Sequence, residues 1–118
     1  MKQRATPRYS IGAVVMTLGL LAIFTCATAK EATAIKLTLK NHGFQPAEPH
    51  APANTPLTIE ITNLDATPAE FESMTLRVER IVVGGATISL KMRPLAPGRY
   101  HFFDDYHEDT TEGFLIVK

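Results

Sequence analysis

The sequence has 118 residues, with 12 basic and 12 acidic side chains and a formal net charge of zero at pH 7. This length allows one domain and little else. The charges are unevenly spread, because no acidic residue precedes Glu31, and residues 30–118 carry nine basic against twelve acidic side chains, a net charge of −3. A mildly acidic domain argues against nucleic-acid binding.

The first 29 residues have the organisation of a targeting segment. Three basic residues lie within the first eight positions, residues 9–29 carry no charge, and Ala27-Thr28-Ala29 supplies a small-x-small cleavage site. A basic start, an apolar middle and a small-residue end predict a secretory signal peptide at 1–29. The mature protein is then a single domain at 30–118, which we expect in the periplasm.

Two other interpretations of this segment stay open. The uncharged run is close to the length that spans a bilayer, so an uncleaved N-terminal membrane anchor is one alternative. Cys26 could instead be lipidated, although Phe24 and Thr25 match such a signal poorly. All three interpretations place the rest of the chain outside the cytoplasm, and only an uncleaved segment would tie it to the membrane. Cys26 is the single cysteine, so residues 30–118 can form neither a disulfide nor a thiolate ligand.

The mature domain has a β pattern throughout. Strict alternation of apolar and polar residues, or short apolar runs, predict strands near 35–40, 57–62, 76–83, 87–92, 99–103 and 113–117. Turn-forming residues separate these segments, as at Asn41-His42-Gly43, Asn63-Leu64-Asp65 and Pro97-Gly98. Short strands at this spacing predict a sandwich or barrel. The segment 70–80 is the least defined and could hold a helical turn.

An acidic loop at 104–112 is the one unusual feature. It contains five carboxylates and His107 within nine residues, between two predicted strands. Such a loop is either a solvated connection or a group of ligands, because a bound cation relieves the repulsion between crowded carboxylates. Oxygen ligands with one imidazole would suit iron, copper, zinc or manganese.

Other polar residues have plainer interpretations. Alternation sends Glu70 and Glu72 to the same face of a strand, where they are exposed strand residues or further ligands. The remaining histidines stand singly in the sequence: His42, His50 and His101. His101 falls on the opposite face from Phe102 and is interpreted as a surface residue. Met74 and Met92 are most simply packing residues.

The C-terminal third resembles a cupredoxin. The string Pro97-Gly98-Arg99-Tyr100-His101-Phe102-Phe103, followed by His107 and Gly113, is similar to the strand and ligand loop of that family. The resemblance implies an all-β, Greek-key cupredoxin-like β-sandwich. It places the family's copper cysteine at Asp104, keeps one histidine ligand as His107, and puts the methionine near Glu112 and the other histidine at or near Glu70. Without the thiolate, type 1 copper is ruled out on chemical grounds.

A narrower resemblance points to iron uptake. The strings Glu70-Phe71-Glu72-Ser73 and Phe102-Phe103-Asp104-Asp105-x-His107 are similar to the cupredoxin-like domain of EfeO-type proteins. Small periplasmic proteins of this kind accompany FTR-type iron permeases. The resemblance therefore implies handling of iron or copper in the periplasm beside such a permease.

These observations give a first hypothesis and two rivals. The first is a periplasmic metal-binding accessory protein of a high-affinity iron-uptake system, with iron or copper as its ion. Its candidate ligands are Glu70, Asp104, Asp105, His107 and Glu112, with Glu72 and Glu108 in reserve. The second is a metal-free binding module whose acidic loop docks on a basic surface of the transporter. The third is an enzyme, a ferroxidase, which would use the same ion.

Overall fold

The computed structural model of the protein describes residues 2–5, 10, 12, 19, 22–26 and 31–118. Among them, no helix has both the length and the apolar character needed to cross a membrane. Cys26 is exposed and is not in a disulfide. The predicted cleavage site at 27–29 lies outside the described residues.

Nine strands and one short 3-10 turn make up the described domain. The strands are β1 (Thr33–Lys40), β2 (Gly43–Gln45), β3 (His50–Ala51), β4 (Leu57–Asn63), β5 (Ala69–Ser73), β6 (Val78–Val82), β7 (Thr87–Met92), β8 (Gly98–Asp104) and β9 (Glu112–Val117). The 3-10 turn occupies Asp105–His107, between β8 and β9. The segment at 70–80 forms two strands joined by a tight turn, and it contains no helical turn.

The strands form two mixed sheets. The first sheet has the order β2-β1-β4-β7 and the second has the order β3-β9-β8-β5-β6. β1 runs parallel to β4 and β3 runs parallel to β9, whereas the other paired strands are antiparallel. The all-β sandwich predicted from the sequence is confirmed.

Alternation along the strands builds the core between the sheets. In β4 the odd-numbered positions from 57 to 63 are buried and the intervening even positions are half-exposed. Three phenylalanines join the two sheets: Phe44 of the first packs edge-on against Phe71 and Phe102 of the second, with ring centroids 6.0 and 5.0 Å away. This apolar contact fixes how the two sheets face each other.

Three strand ends meet at one end of the sandwich. β1 and β4 end beside each other, because the backbone N–H of Leu64 donates to the carbonyl of Leu39. The second sheet joins them where the Thr111 hydroxyl donates to the carbonyl of His42. Asn63 anchors this end, since its fully buried amide donates to the carbonyls of Thr67 and Val82. The loops that carry the candidate ligands are therefore mounted on the ends of regular strands.

Candidate metal centre

Asp104, the last residue of β8, is a fully buried carboxylate. Its Oδ1 accepts hydrogen bonds from the backbone N–H groups of Glu70 (2.9 Å) and Tyr106 (3.1 Å). Its Oδ2 lies 3.0 Å from Nδ1 of His107. A buried carboxylate is costly unless hydrogen bonds replace its lost water. These three contacts supply that replacement, so Asp104 holds β5, the 3-10 turn and the imidazole together.

The contact with Asp104 sets the orientation of His107. With Asp104 ionised, Nδ1 of the imidazole carries the proton and donates it, which leaves Nε2 as the free acceptor. One third of the His107 side chain is exposed, compared with 1% for Asp104. A carboxylate that holds one imidazole nitrogen is the arrangement that orients many metal-bound histidines. In that tautomer, Nε2 would be the nitrogen that His107 offers to a metal ion.

His42 packs directly against His107, so its interpretation as a solitary residue is wrong. The two rings stack with centroids 4.0 Å apart and planes 30° apart. His42 lies in the two-residue turn between β1 and β2, and Asp65 fixes that turn by accepting the N–H groups of Asn41 (2.7 Å) and His42 (2.9 Å). These backbone hydrogen bonds are the main reason that the pKa of Asp65 is lowered. Nothing in the linear sequence signals the contact, because the two histidines meet only after the sheets pack.

The stacked rings do not chelate one ion between them. The lone pair of an imidazole nitrogen lies in the plane of its ring. In two rings stacked 4.0 Å apart, the lone pairs therefore point side by side instead of converging. The stack therefore supports His107 by packing.

Three carboxylates converge on the outer face of the second sheet. Glu70, Glu72 and Asp105 each have a carboxylate oxygen within 4.8 Å of the others, and we refer to them as the carboxylate triad. Glu70 and Glu72 alternate on the outer face of β5. The pairing of Phe71 with Asp104 across β5 and β8 then brings the following residue, Asp105, to the same place. Strand register therefore builds the triad.

The crowding of these carboxylates shows in their pKa values. The pKa of Glu70 is raised, mainly by a hydrogen bond with the neighbouring carboxyl group of Glu79 and also by desolvation, and the Tyr106 hydroxyl partly offsets this. The pKa of Glu72 is raised first by desolvation and then by the charges of Asp105, Glu70 and other acidic residues. Both shifts favour neutralisation of the triad, which either a proton or a cation can provide.

The five ligands predicted from the sequence fall into three places. Glu70 and Asp105 are together in the triad. Asp104 and His107 form a second pair through Oδ2 and Nδ1, and the other carboxylate oxygen of Asp104 accepts the backbone N–H groups of Glu70 and Tyr106. Glu112 lies on the far side of Phe103 and pairs with His101, with Nε2 and Oε2 2.8 Å apart.

Sequence reasoning ranked two neighbours too low or left them out. Glu72 was held in reserve, yet the structure places it in the triad. Glu79 stands opposite Glu72 across β5 and β6, and its contact with Glu70 raises the pKa there. Alternation within β5 signals Glu72 beside Glu70, but nothing in the sequence gives the β5–β6 register that brings Glu79 to the site.

Comparison with known proteins places the chain in a family. A family model described as a cupredoxin-like domain matches residues 13–117. The chain belongs to the cupredoxin-like domain family. An uncharacterised protein of Rickettsia prowazekii is 42% identical over 84 residues, which cover 71% of this chain and 67% of that protein.

Solved cupredoxin-like structures agree with this placement. Auracyanin A, a blue copper protein of Chloroflexus aurantiacus, superposes with a TM-score of 0.64 at 15% identity, covering 75% of this chain and 100% of that one. The periplasmic domain of cytochrome oxidase subunit II from Bradyrhizobium japonicum gives 0.64 at 14% identity, with coverages of 76% and 86%. At these identities the likeness concerns the fold alone.

The donors in this cupredoxin-like domain do not fit a blue copper centre. Such a centre needs a cysteine thiolate together with two imidazoles. The single cysteine of the sequence, Cys26, precedes β1, and the two neighbouring imidazoles are stacked and do not converge. The oxygen atoms of the triad are instead the hard donors that suit iron, manganese or Cu(II).

Proposed function

We propose that this cupredoxin-like protein is an exported metal-binding accessory protein that holds iron at the carboxylate triad. The observation that carries the proposal is the convergence of Glu70, Glu72 and Asp105 within 4.8 Å. Three carboxylates offer an all-oxygen set to a hard cation. A bound cation would also offset the charge of Glu70 and Glu72, whose pKa values are raised mainly by the Glu79 contact and by desolvation, respectively.

Cu(II) is the competing ion, and His107 is what favours it. Its Nε2 would be the nitrogen donor, since Nδ1 faces Asp104, and imidazole suits copper better than carboxylate does. The position of His107 depends on Asp104, whose Oδ2 is 3.0 Å from Nδ1. Asp104 itself has the role of support, since its oxygens are already engaged.

The accessory role in iron uptake is supported by the resemblance to the EfeO-type domain and by the organisation of the leader. The strings that carry that resemblance contain all three triad residues. An exported protein with an exposed site of this kind would deliver its ion to an iron permease in the membrane. Uptake of iron by cells that lack the protein tests this role directly, and unchanged uptake under iron limitation would contradict it.

Calorimetric titration of the purified protein tests the site. Fe(II) under anaerobic conditions, Cu(II) and Zn(II) are compared on the unmodified protein and on Glu70→Gln/Glu72→Gln. We expect the double variant to bind Fe(II) at least about tenfold more weakly, a loss of about 1.4 kcal/mol of binding free energy. The matched control, Glu48→Gln/Glu60→Gln, removes the same charge elsewhere and should leave the affinity unchanged.

The same titration separates the rival functions. His107→Ala should weaken Cu(II) binding more than Fe(II) binding, because only the nitrogen donor is lost. No binding of any of the three ions by the unmodified protein would contradict the proposal and favour a metal-free docking module. Oxygen consumption during the Fe(II) titration in air would indicate a ferroxidase instead.

A further inference from the structure

A cleft opens on the opposite edge of the sandwich from β2 and β3. It lies between β6 and β7, which are the last strands of the second and first sheets. The cleft has a volume of about 210 Å³ and is lined by residues 77–80 and 90–92. Leu90 and Met92 are buried in its apolar floor, and half-buried Val78 packs beside them. We call this feature the edge cleft.

Three cations and one carboxylate line the edge cleft: Arg77, Arg80 and Lys91, with Glu79. All three are exposed. Among residues 31–118, none of them has a carboxylate within 4.0 Å, whereas Arg99 has Glu48 at 3.4 Å. The domain is acidic as a whole, so a cationic cleft stands out against the rest of its surface.

Arg80 occupies a position that would ordinarily be apolar. It pairs with Phe71 across β5 and β6, and directly paired residues share one face of a sheet. Phe71 is buried in the core, so Arg80 belongs to the inward-facing row and reaches solvent only because β6 is an edge strand. Its guanidinium therefore borders the apolar floor of the edge cleft. A charged and an apolar surface lie side by side there.

β7 offers an unpaired backbone along the same cleft. It pairs with β4 on one side, and no strand of the described chain pairs with the other. Free N–H and C=O groups along a strand edge are a template for an added strand. The side chains of an added segment would alternate between the Lys91 side of the sheet and the inner side, where the apolar floor and Arg80 lie.

We propose that the edge cleft binds an extended acidic segment of a partner protein, which adds to the first sheet as a strand beside β7. Carboxylates of the segment would meet Lys91 on the outer side of the sheet, and its apolar side chains would face the inner side, against Leu90, Met92 and the aliphatic part of Arg80. β6 is a poorer partner for such a segment, because its outer face carries Glu79 beside Glu70. This site is separate from the carboxylate triad and does not depend on metal binding.

The test uses a synthetic octapeptide of alternating aspartate and valine, with fluorescence anisotropy for affinity and amide NMR shifts for location. We expect the aspartate peptide to bind and to shift resonances of β7, and a lysine–valine peptide of equal length to bind at least about tenfold more weakly. A third peptide keeps the aspartate–valine sequence but is N-methylated at every second residue, on the edge that would face β7. It should also bind at least about tenfold more weakly than the unmethylated peptide, because it cannot pair with a strand edge.

Two charge-reversal variants complete the experiment. Arg80→Glu/Lys91→Glu should weaken binding of the aspartate peptide at least about tenfold. Lys36→Glu/Lys40→Glu makes the same change of charge on the exposed side of β1 and should leave binding unchanged.

Exposed lysine and inward-pointing charge also serve to keep strand edges from pairing. If Lys91 and Arg80 only prevent strand pairing, the aspartate peptide will not bind, and that result overturns the proposal. Equal weakening by the two double variants, or equal binding of the N-methylated peptide, overturns it as well.

Discussion

A single buried carboxylate determines the local structure at the end of β8. Asp104 accepts two backbone N–H groups and pairs with one imidazole, and these three partners come from β5 and from the 3-10 turn. No neighbouring side chain duplicates these contacts. The geometry of the candidate site therefore depends on a residue that does not itself face an ion.

Replacement of Asp104 by alanine should destabilise the protein strongly. Its partners would lose their acceptor in a buried place, and we expect the free energy of unfolding to fall by about 3 kcal/mol. Asp104→Asn should cost less, since an amide oxygen can still accept the N–H groups of Glu70 and Tyr106. Urea unfolding measures both variants. Asp109→Ala, in the exposed part of the same loop, is the control, and an Asp104→Ala loss no larger than this control would contradict the role.

The pKa of Glu72 is raised, so replacing this carboxyl by an uncharged amide should change the stability of the protein in a pH-dependent way. A carboxyl whose folded-state pKa lies above its unfolded value binds its proton more tightly in the native state. The stability it contributes is complete at low pH and is lost as the pH rises through the raised pKa. Glu72→Gln removes this loss. In chelator, its melting temperature should exceed that of the unmodified protein at pH 7, and the difference should close below about pH 4. A difference that does not change with pH would show that the effect is not electrostatic.

At the scale of elements, alternation in the sequence predicts six of the nine strands and identifies the acidic face of a seventh, β5. The predicted 57–62 and 87–92 differ from β4 and β7 by no more than one residue. β2 and β3 were missed because they have three and two residues, too few to display a period of two. Both owe their existence to distant partners, β1 for β2 and β9 for β3.

Gly113 of β9 pairs with Phe102 of β8 at a place with no room for a side chain. A Cβ atom there would lie 2.5 Å from Cζ of Phe102 and 2.5 Å from the carbonyl oxygen of Ala47. Gly113→Ala should therefore displace a core aromatic ring and lower the free energy of unfolding by about 1–3 kcal/mol.

Gly98→Ala in β8 is the matched control for this prediction. Its Cβ would meet Tyr100 at an ordinary 3.7 Å, so we expect a change within about 0.5 kcal/mol. Thermal and urea unfolding of the two variants give the comparison. Equal free energies of unfolding for Gly113→Ala and Gly98→Ala would contradict the prediction, because they would mean that the structure accommodates a methyl group at 113 without destabilisation.

At the scale of the whole molecule, the sequence located the candidate site only in part. The resemblance and the acidic loop pointed to Glu70, Asp105 and His107, which do lie at one end of the sandwich. The stacking of His42 on His107 and the approach of Glu79 to Glu70 depend on how strands from distant parts of the chain align. The resemblance puts the family's methionine position near Glu112, but β8 separates Glu112 from β5 and gives it His101 as a partner.

The proposed metal site predicts that iron stabilises the whole domain. An ion that binds only the folded protein raises the free energy of unfolding by about 2.7 kcal/mol at a concentration one hundred times its dissociation constant. The melting temperature should rise with anaerobic Fe(II) at pH 7 and rise less at pH 4.5, where protons compete for the triad. Glu70→Gln/Glu72→Gln should show neither response. A response in that variant equal to the one in the unmodified protein would place the ion elsewhere.

The triad stands on the outer face of a sheet, with Glu70 and Glu72 half-exposed and Asp105 exposed. An ion held there would have protein on one side and solvent on the other, so water would complete its coordination sphere. Water ligands on such an ion can be replaced by donors of another molecule before the carboxylates dissociate. This favours transfer of the ion by direct ligand exchange with a partner over long-term storage of the ion.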